Sequence, residues 1–162
     1  MTILVAYGTS RQGTAGLAEM IAEAFVRLGR GAVAVPARAA GDPTGYEAVV
    51  VAGSLSAGRW HRDARRWVRS HAAALRATPT WLVTSGPLDD SARGGAIPPV
   101  PHVAAAMDLV RARGHMTFGG CLAPDARGFP AAAMARTRAG DWRDPDHVRE
   151  WVASVDAELS AL

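Results

Sequence analysis

The chain has 162 residues, of which 49% are hydrophobic and 20% charged, with a net charge of +3. That is the length of one domain and an ordinary globular balance, which excludes a disordered chain. All 18 basic residues are arginine, so the Walker A loop, Schiff-base chemistry and every other mechanism built on a lysine are excluded.

Ile3-Leu4-Val5-Ala6-Tyr7 is a continuous apolar run and predicts a strand buried on both faces. Thr14 to Leu28 follows, with Leu17, Ile21, Phe25 and Leu28 on one helical face, stopped by Gly29 and Gly31. Ala32 to Val35 reads as a second strand, ended by Pro36. The loop Gly41 to Gly45 leads into Ala48-Val49-Val50-Val51-Ala52, the most β-rich stretch and the expected central strand. From Trp60 to Ala77 the pattern is helical. Trp60, Ala64, Trp67, Val68, Ala72 and Leu75 share one face, while Arg62, Arg65, Arg66 and Arg69 form a solvated face.

Thr80 to Thr84 is a fourth strand, Leu88 to Pro101 a loop, Val103 to Arg113 a helix and Met116 to Leu122 a fifth strand. A further helical stretch covers Ala131 to Thr137. The last helix is punctuated by Asp144 as N-cap, Pro145 at the first position and Asp146 in the first turn. Its apolar face is Val148, Trp151, Val152, Val155 and Leu159. Alternation of strand and helix predicts an α/β fold around a parallel sheet, in one domain over residues 1–162. No apolar run is long enough to span a membrane, and the first residues lack the basic region of a leader peptide. The single Cys121 admits no internal disulfide, which predicts a cytoplasmic protein.

In such sheets ligands bind at the carboxyl ends of the strands. The loop after the first strand, Gly8-Thr9-Ser10-Arg11-Gln12-Gly13-Thr14, offers hydroxyls, glycines and the amides of a helix start. Those are the parts of a phosphate cradle, in neither the Walker A nor the Gly-x-Gly-x-x-Gly form. The loop after the third strand, Gly53 to His61, is built of small residues that let a planar ligand approach. Trp60 either covers a ring there or is the first core contact of its helix. His61 is a candidate to orient or protonate a substrate. The loop after the fourth strand, Ser85-Gly86-Pro87-Leu88, offers backbone groups to a ring edge. Gly140-Asp141-Trp142-Arg143-Asp144, before the last helix, reads as a capping and salt-bridge network.

Metal-ligand spacing is absent, as is a Gly-x-Ser-x-Gly elbow. A receiver domain needs acidic strand ends and a lysine, and neither is present. No RNA-binding motif or zinc-finger spacing accompanies the arginines, so nucleic acid is not an expected partner.

Tyr7 to Ala15, Tyr46 to Ser54, Ala57 to His61, Trp81 to Leu88 and Gly140 to Asp144, in this order, resemble flavodoxin-domain proteins. The resemblance covers nearly the whole chain. It is nearest to the flavodoxin-like group that includes menaquinone-dependent protoporphyrinogen IX dehydrogenase. The resemblance implies a doubly wound five-stranded parallel sheet of order 2-1-3-4-5 and one FMN. It implies that Thr9, Ser10, Arg11, Gln12, Gly13 and Thr14 hold the phosphate. It further implies that Ser54, Leu55, Ser56, Ala57, Gly58 and Trp60 pack on the isoalloxazine, and that Ser85, Gly86, Pro87 and Leu88 border it. Arg11 stands where the usual loop has a hydroxyl, the loop after strand four lacks an aromatic, and this chain is basic where electron-carrier flavodoxins are acidic. Three functions follow: a quinone- or protoporphyrinogen-linked oxidoreductase, an electron carrier without a substrate of its own, or an FMN-free binding module. The first implies a quinone or small-molecule partner and the second a redox protein.

Overall fold

A computed structural model describes residues 1–9, 13–87, 90–95, 97–122 and 140–162. Its main sheet is β1 (Thr2–Gly8), β2 (Gly31–Pro36), β3 (Ala48–Ser56), β5 (Thr80–Ser85) and β6 (Gly114–Phe118), in the order β2-β1-β3-β5-β6. All four pairings are parallel. This is the expected 2-1-3-4-5 order once the short β4 (Arg59–Trp60), which pairs only with β3, is set aside. The continuous apolar runs become the buried strands because helices cover both faces of a parallel sheet. Val49, Val50, Val51 and Ala52 of the central strand are fully buried.

One face of the sheet is covered by α1 (Gly13–Arg27) and α5 (Pro145–Ser160). Leu17, Ile21 and Phe25 of α1 meet Val148, Trp151, Val152 and Val155 of α5, as their spacing predicts. Leu28, expected on the same face, lies beyond the helix end and is exposed, because Gly29 turns the chain at φ +89°. Asp144 caps α5 by accepting the Asp146 and His147 amides at 2.9 and 3.2 Å. Arg30, just past α1, ties this layer to the sheet. It pairs with Glu47 before β3 and with Asp156 of α5, and donates to Ser160 Oγ at 3.0 Å. Arg30→Met should therefore cost about 1–2 kcal/mol, read as a lowered urea midpoint. An unchanged midpoint would mean that water replaces the guanidinium at no cost.

The other face carries α2 (Arg62–Ser70), α3 (Ala72–Arg76) and α4 (Pro101–Val110). Here the single helix expected from Trp60 to Ala77 is instead a strand end and two helices. Trp60 belongs to β4, and the helix breaks at His71, at φ −119° and ψ 23°. There the His71 amide and Nδ1 both turn back on the Trp67 carbonyl at 3.0 Å. The fifth strand also differs, since it spans Gly114–Phe118 rather than Met116 to Leu122. It stops because the Trp142 backbone crosses Gly119 so closely that a Cβ would lie 2.7 Å from the Trp142 carbonyl carbon. Cys121 and Leu122 instead form β7 (Cys121–Leu122), paired with β8 (Gly140–Asp141). The helical stretch expected at Ala131 to Thr137 lies outside the described residues.

Candidate functional site

The parallel register brings the strand ends into one row. Gly8 lies beside Gly53, Gly53 beside Thr84, Ser54 beside Ser85, and Ser85 beside Phe118. Four loops therefore emerge at one edge, and their side chains interlock. His61 packs on Gly8, where a Cβ would lie 2.7 Å from Nδ1. Leu55 lies over Gly86, where a Cβ would lie 3.0 Å from Cδ1. Gly13 approaches the Cys121 carbonyl, at 3.1 Å from a built Cβ. The first loop is thus joined to the second and the fourth, and the second to the third, by close contacts at glycines.

At the first loop, Thr9 is half-buried and Gly13 opens α1; Ser10, Arg11 and Gln12 lie outside the described residues. The first turn of α1 contains no acidic residue. Thr14, 1% exposed, has its Oγ1 buried with no hydrogen-bond partner among the described residues. A buried hydroxyl without a partner costs about 1–3 kcal/mol. This one sits at the positive end of a 15-residue helix, where an anion is favoured.

The chain from β8 closes over this turn. Arg143 grips Asp141 through Nε at 2.9 Å and Nη2 at 2.7 Å. It donates from Nη1 to the Gly13 carbonyl at 3.4 Å and covers Gly16. The hydrogen bond from Arg143 holds the Asp141 carboxyl below the usual range. The capping and salt-bridge network expected at Gly140 to Asp144 is present, but its reach to α1 was not legible, because Gly13 and Arg143 are far apart in sequence.

The second loop is a hairpin rather than an open loop. β3 continues through Ser54, Leu55 and Ser56, turns at Ala57 and Gly58 (φ 52° and 74°), and returns as β4, with Ser56 opposite Arg59 and Leu55 opposite Trp60. Two successive left-handed residues match the twist of a two-residue hairpin. Gly58 signals that turn in the sequence; Ala57 does not. Of the two roles open to Trp60, burial favours the core. The residue is 1% exposed, donates from Nε1 to the Val83 carbonyl at 3.2 Å and lies against Gly53. Ser56, Ala57 and Gly58 are exposed and Ser54 and Leu55 half-buried, so the hairpin itself is the accessible part.

His61 is the N-cap of α2, its Nδ1 accepting the Asp63 amide at 3.1 Å. Burial pushes the imidazole below its ordinary value, against the pull of Asp63. His115, whose Nε2 meets Thr84 Oγ1 at 2.9 Å, is lowered by burial too. For both, the folded value lies below the unfolded one of about 6.5, so protonation favours the unfolded chain. Their contribution is full above that value and is lost as pH falls through it. His61→Asn keeps a capping side chain that does not titrate. The urea midpoint should fall between about pH 7.5 and 5.5, and fall less in His61→Asn; an equal fall in both would assign the dependence elsewhere.

In the third loop Ser85 is buried, Gly86 and Pro87 are half-buried, and Leu88 lies outside the described residues. Two of its backbone groups are already spent, since Gly86 N–H donates to the Phe118 carbonyl and Gly120 N–H to the Pro87 carbonyl. Among the described residues no group of three or more metal-ligating side chains converges, and no helix is long and apolar enough to cross a membrane.

Small strand ends, a helix start free of acids and a buried hydroxyl with no partner among the described residues together suit a phosphate-bearing planar ligand. Comparison with known proteins bears on this. No curated protein matches the chain. Among solved structures, rubredoxin oxygen:oxidoreductase from Desulfovibrio gigas superposes with a TM-score of 0.66 at 11% identity, over 99% of this chain; this chain spans only 36% of that longer one. A cysteine-to-serine mutant of flavodoxin from Pseudomonas aeruginosa superposes at 0.63 with 14% identity, covering 99% of both chains. A flavodoxin from the domain Archaea gives 0.58 at 13%, over 94% of this chain and 99% of that one. At such identities these likenesses show the fold. The flavodoxin domain model matches residues 4–129, and the chain therefore belongs to the flavodoxin domain family.

Proposed function

We propose that this protein is an FMN-binding redox protein, acting as one domain over residues 1–162 in the cytoplasm, and that its chemistry is quinone- or protoporphyrinogen-linked. Members of its family bind FMN. The observation that carries the reading is Thr14 Oγ1, buried and unpartnered among the described residues at the start of α1. A phosphate oxygen is an acceptor that this hydroxyl and the adjoining amides can satisfy together.

When bound, the flavin supplies the electron-accepting and electron-donating chemistry. The chain's own residues bind and orient it. The loop from Thr9 through Ser10, Arg11, Gln12 and Gly13 to Thr14 would hold the phosphate. The hairpin Ser54–Gly58 would form one wall, with Leu55 as its apolar contact, and Ser85 to Leu88 the other. Trp60 supports the hairpin from below, and His61 acts as a positioning residue, holding α2 against Gly8. Arg143 would fix the first turn of α1 from the side of β8.

Turnover separates the functions. The FMN-loaded protein is offered protoporphyrinogen IX with a soluble naphthoquinone, and porphyrin formation is followed by fluorescence. Enzyme-dependent oxidation that saturates with porphyrinogen supports the substrate-linked reading. Its absence in a protein whose flavin reduces and reoxidises normally favours the electron carrier. One observation favours that carrier: a row of arginines beside the hairpin, most of them without carboxylate partners among the described residues.

A further inference from the structure

We propose that β4 and the outer face of α2 form a docking surface for an acidic protein, an electron carrier that approaches the candidate site along the hairpin. The redox reading supplies only the partner's class; the surface itself stands on geometry.

Ala64, Trp67 and Val68 of α2 are buried, which turns Arg62, Arg66 and Arg69 to solvent. Arg65 lies half-buried beside them. Arg59 extends the row onto β4, directly opposite Ser56 of the hairpin. Five guanidinium groups thus run from the rim of the candidate site along one nine-residue helix. Among the described residues, Arg59, Arg65, Arg66 and Arg69 have no carboxylate partner. Arg62 has only Asp63, at 3.8 Å, with its own side chain 81% exposed. The row also meets α4: His102 is held below its ordinary value by burial and then by the charges of Arg65, Arg59 and Arg69.

The opposite face of the sheet is different. There Arg27 pairs with Glu23, Arg30 with Glu47 and Asp156, Arg143 with Asp141 and Arg149 with Asp146. Like charges four apart, as in Arg62/Arg66 and Arg65/Arg69, weaken a helix. The row is therefore a local cost that an acidic surface would reverse, and guanidinium forks suit carboxylates in pairs.

A lipid surface fits less well. Insertion needs exposed apolar side chains, and the exposed large ones among the described residues are Met1, Val26, Leu28, Val33, Leu109 and Leu162, none on β4 or α2. Single-stranded nucleic acid needs aromatic platforms, and Trp60 and Trp67 are both buried. Electron-transfer encounters are small and charge-steered, which matches a compact row ending at a site.

The test is binding to a plant-type [2Fe–2S] ferredoxin, an acidic carrier, by titration calorimetry at about 20 and about 200 mM salt. It needs no flavin, so failure of the FMN reading and failure of the docking surface are read separately. The expected result is a complex that weakens about tenfold or more with salt, and about tenfold or more in Arg62→Glu/Arg66→Glu. Arg27→Glu/Arg149→Glu changes the net charge equally from the opposite face and should leave affinity nearly unchanged. Arg62→Gln/Arg66→Gln, which only neutralises, should fall between. Far-UV circular dichroism checks that each variant is folded; should the Glu variant unfold, the Gln variant decides. Absence of binding, equal loss in both Glu variants, or patch-dependent binding to phosphatidylglycerol vesicles or a short DNA strand in place of ferredoxin would overturn the proposal.

Discussion

Trp60→Ala should destabilise the protein by about 3–5 kcal/mol, the range for a buried aromatic truncated to alanine. The indole is 1% exposed, packs with Leu4, Val51, Ala64 and Leu82 on the α2 side of the sheet, and holds the Val83 carbonyl at 3.2 Å. Gly53→Ala tests the same contact from the other partner. A Cβ at Gly53 would lie 2.8 Å from Trp60 Cδ1 and Cε2, so the ring must shift out of a packed layer. Overpacking of that kind costs about 1–3 kcal/mol. In Gly53→Ala/Trp60→Ala the added methyl group enters the space the ring vacates, so the double variant should lose less than the two single variants added together. Urea denaturation of the four proteins gives the coupling. Strict additivity would mean that Gly53 and Trp60 do not share one packing site, and a small loss in Trp60→Ala would return the ring to the ligand side.

The second large effect has opposite signs in two measurements. Thr14→Val removes a hydroxyl that is buried and unpartnered among the described residues. Without ligand, valine relieves that desolvation cost, and the apoprotein should gain up to about 1 kcal/mol. With FMN, the same change removes a hydrogen bond to a charged phosphate and should weaken binding by about 1–3 kcal/mol. A merely structural threonine would lose apoprotein stability and leave FMN affinity alone. Apoprotein melting together with FMN fluorescence quenching reads both quantities.

The sheet was legible because burial on two faces leaves little choice of residue. Ile3 to Tyr7 and Ala48 to Ala52 are apolar at nearly every position, and Trp81 to Val83 is apolar between the buried Thr80 and Thr84; they became β1, β3 and β5. The last helix was legible for a different reason, since Asp144 and Pro145 mark its start chemically whatever it packs on. The hairpin after β3 was not. Nothing local distinguishes Trp60 as a strand residue from Trp60 as the start of a helix. The choice is made by Gly53 and the Val83 carbonyl, which receive the indole from other parts of the sheet. The clamp of Arg143 on Gly13 has the same origin, a contact fixed by topology alone. In the loop after β1, the hydroxyls and glycines were readable as a type of site. That Thr14 in particular is left without a partner among the described residues is a property of the packed helix.

Identity of the cofactor tests the account most directly. The protein, purified without added flavin and then incubated with equal FMN and FAD and desalted, is denatured, and the released small molecule is weighed by mass spectrometry. FMN is the expected result, at close to one per chain, because the proposed cradle at the start of α1 would take one phosphate and the sequence holds no Gly-x-Gly-x-x-Gly loop to receive a pyrophosphate. FAD, or a protein that leaves the column without flavin, would contradict it.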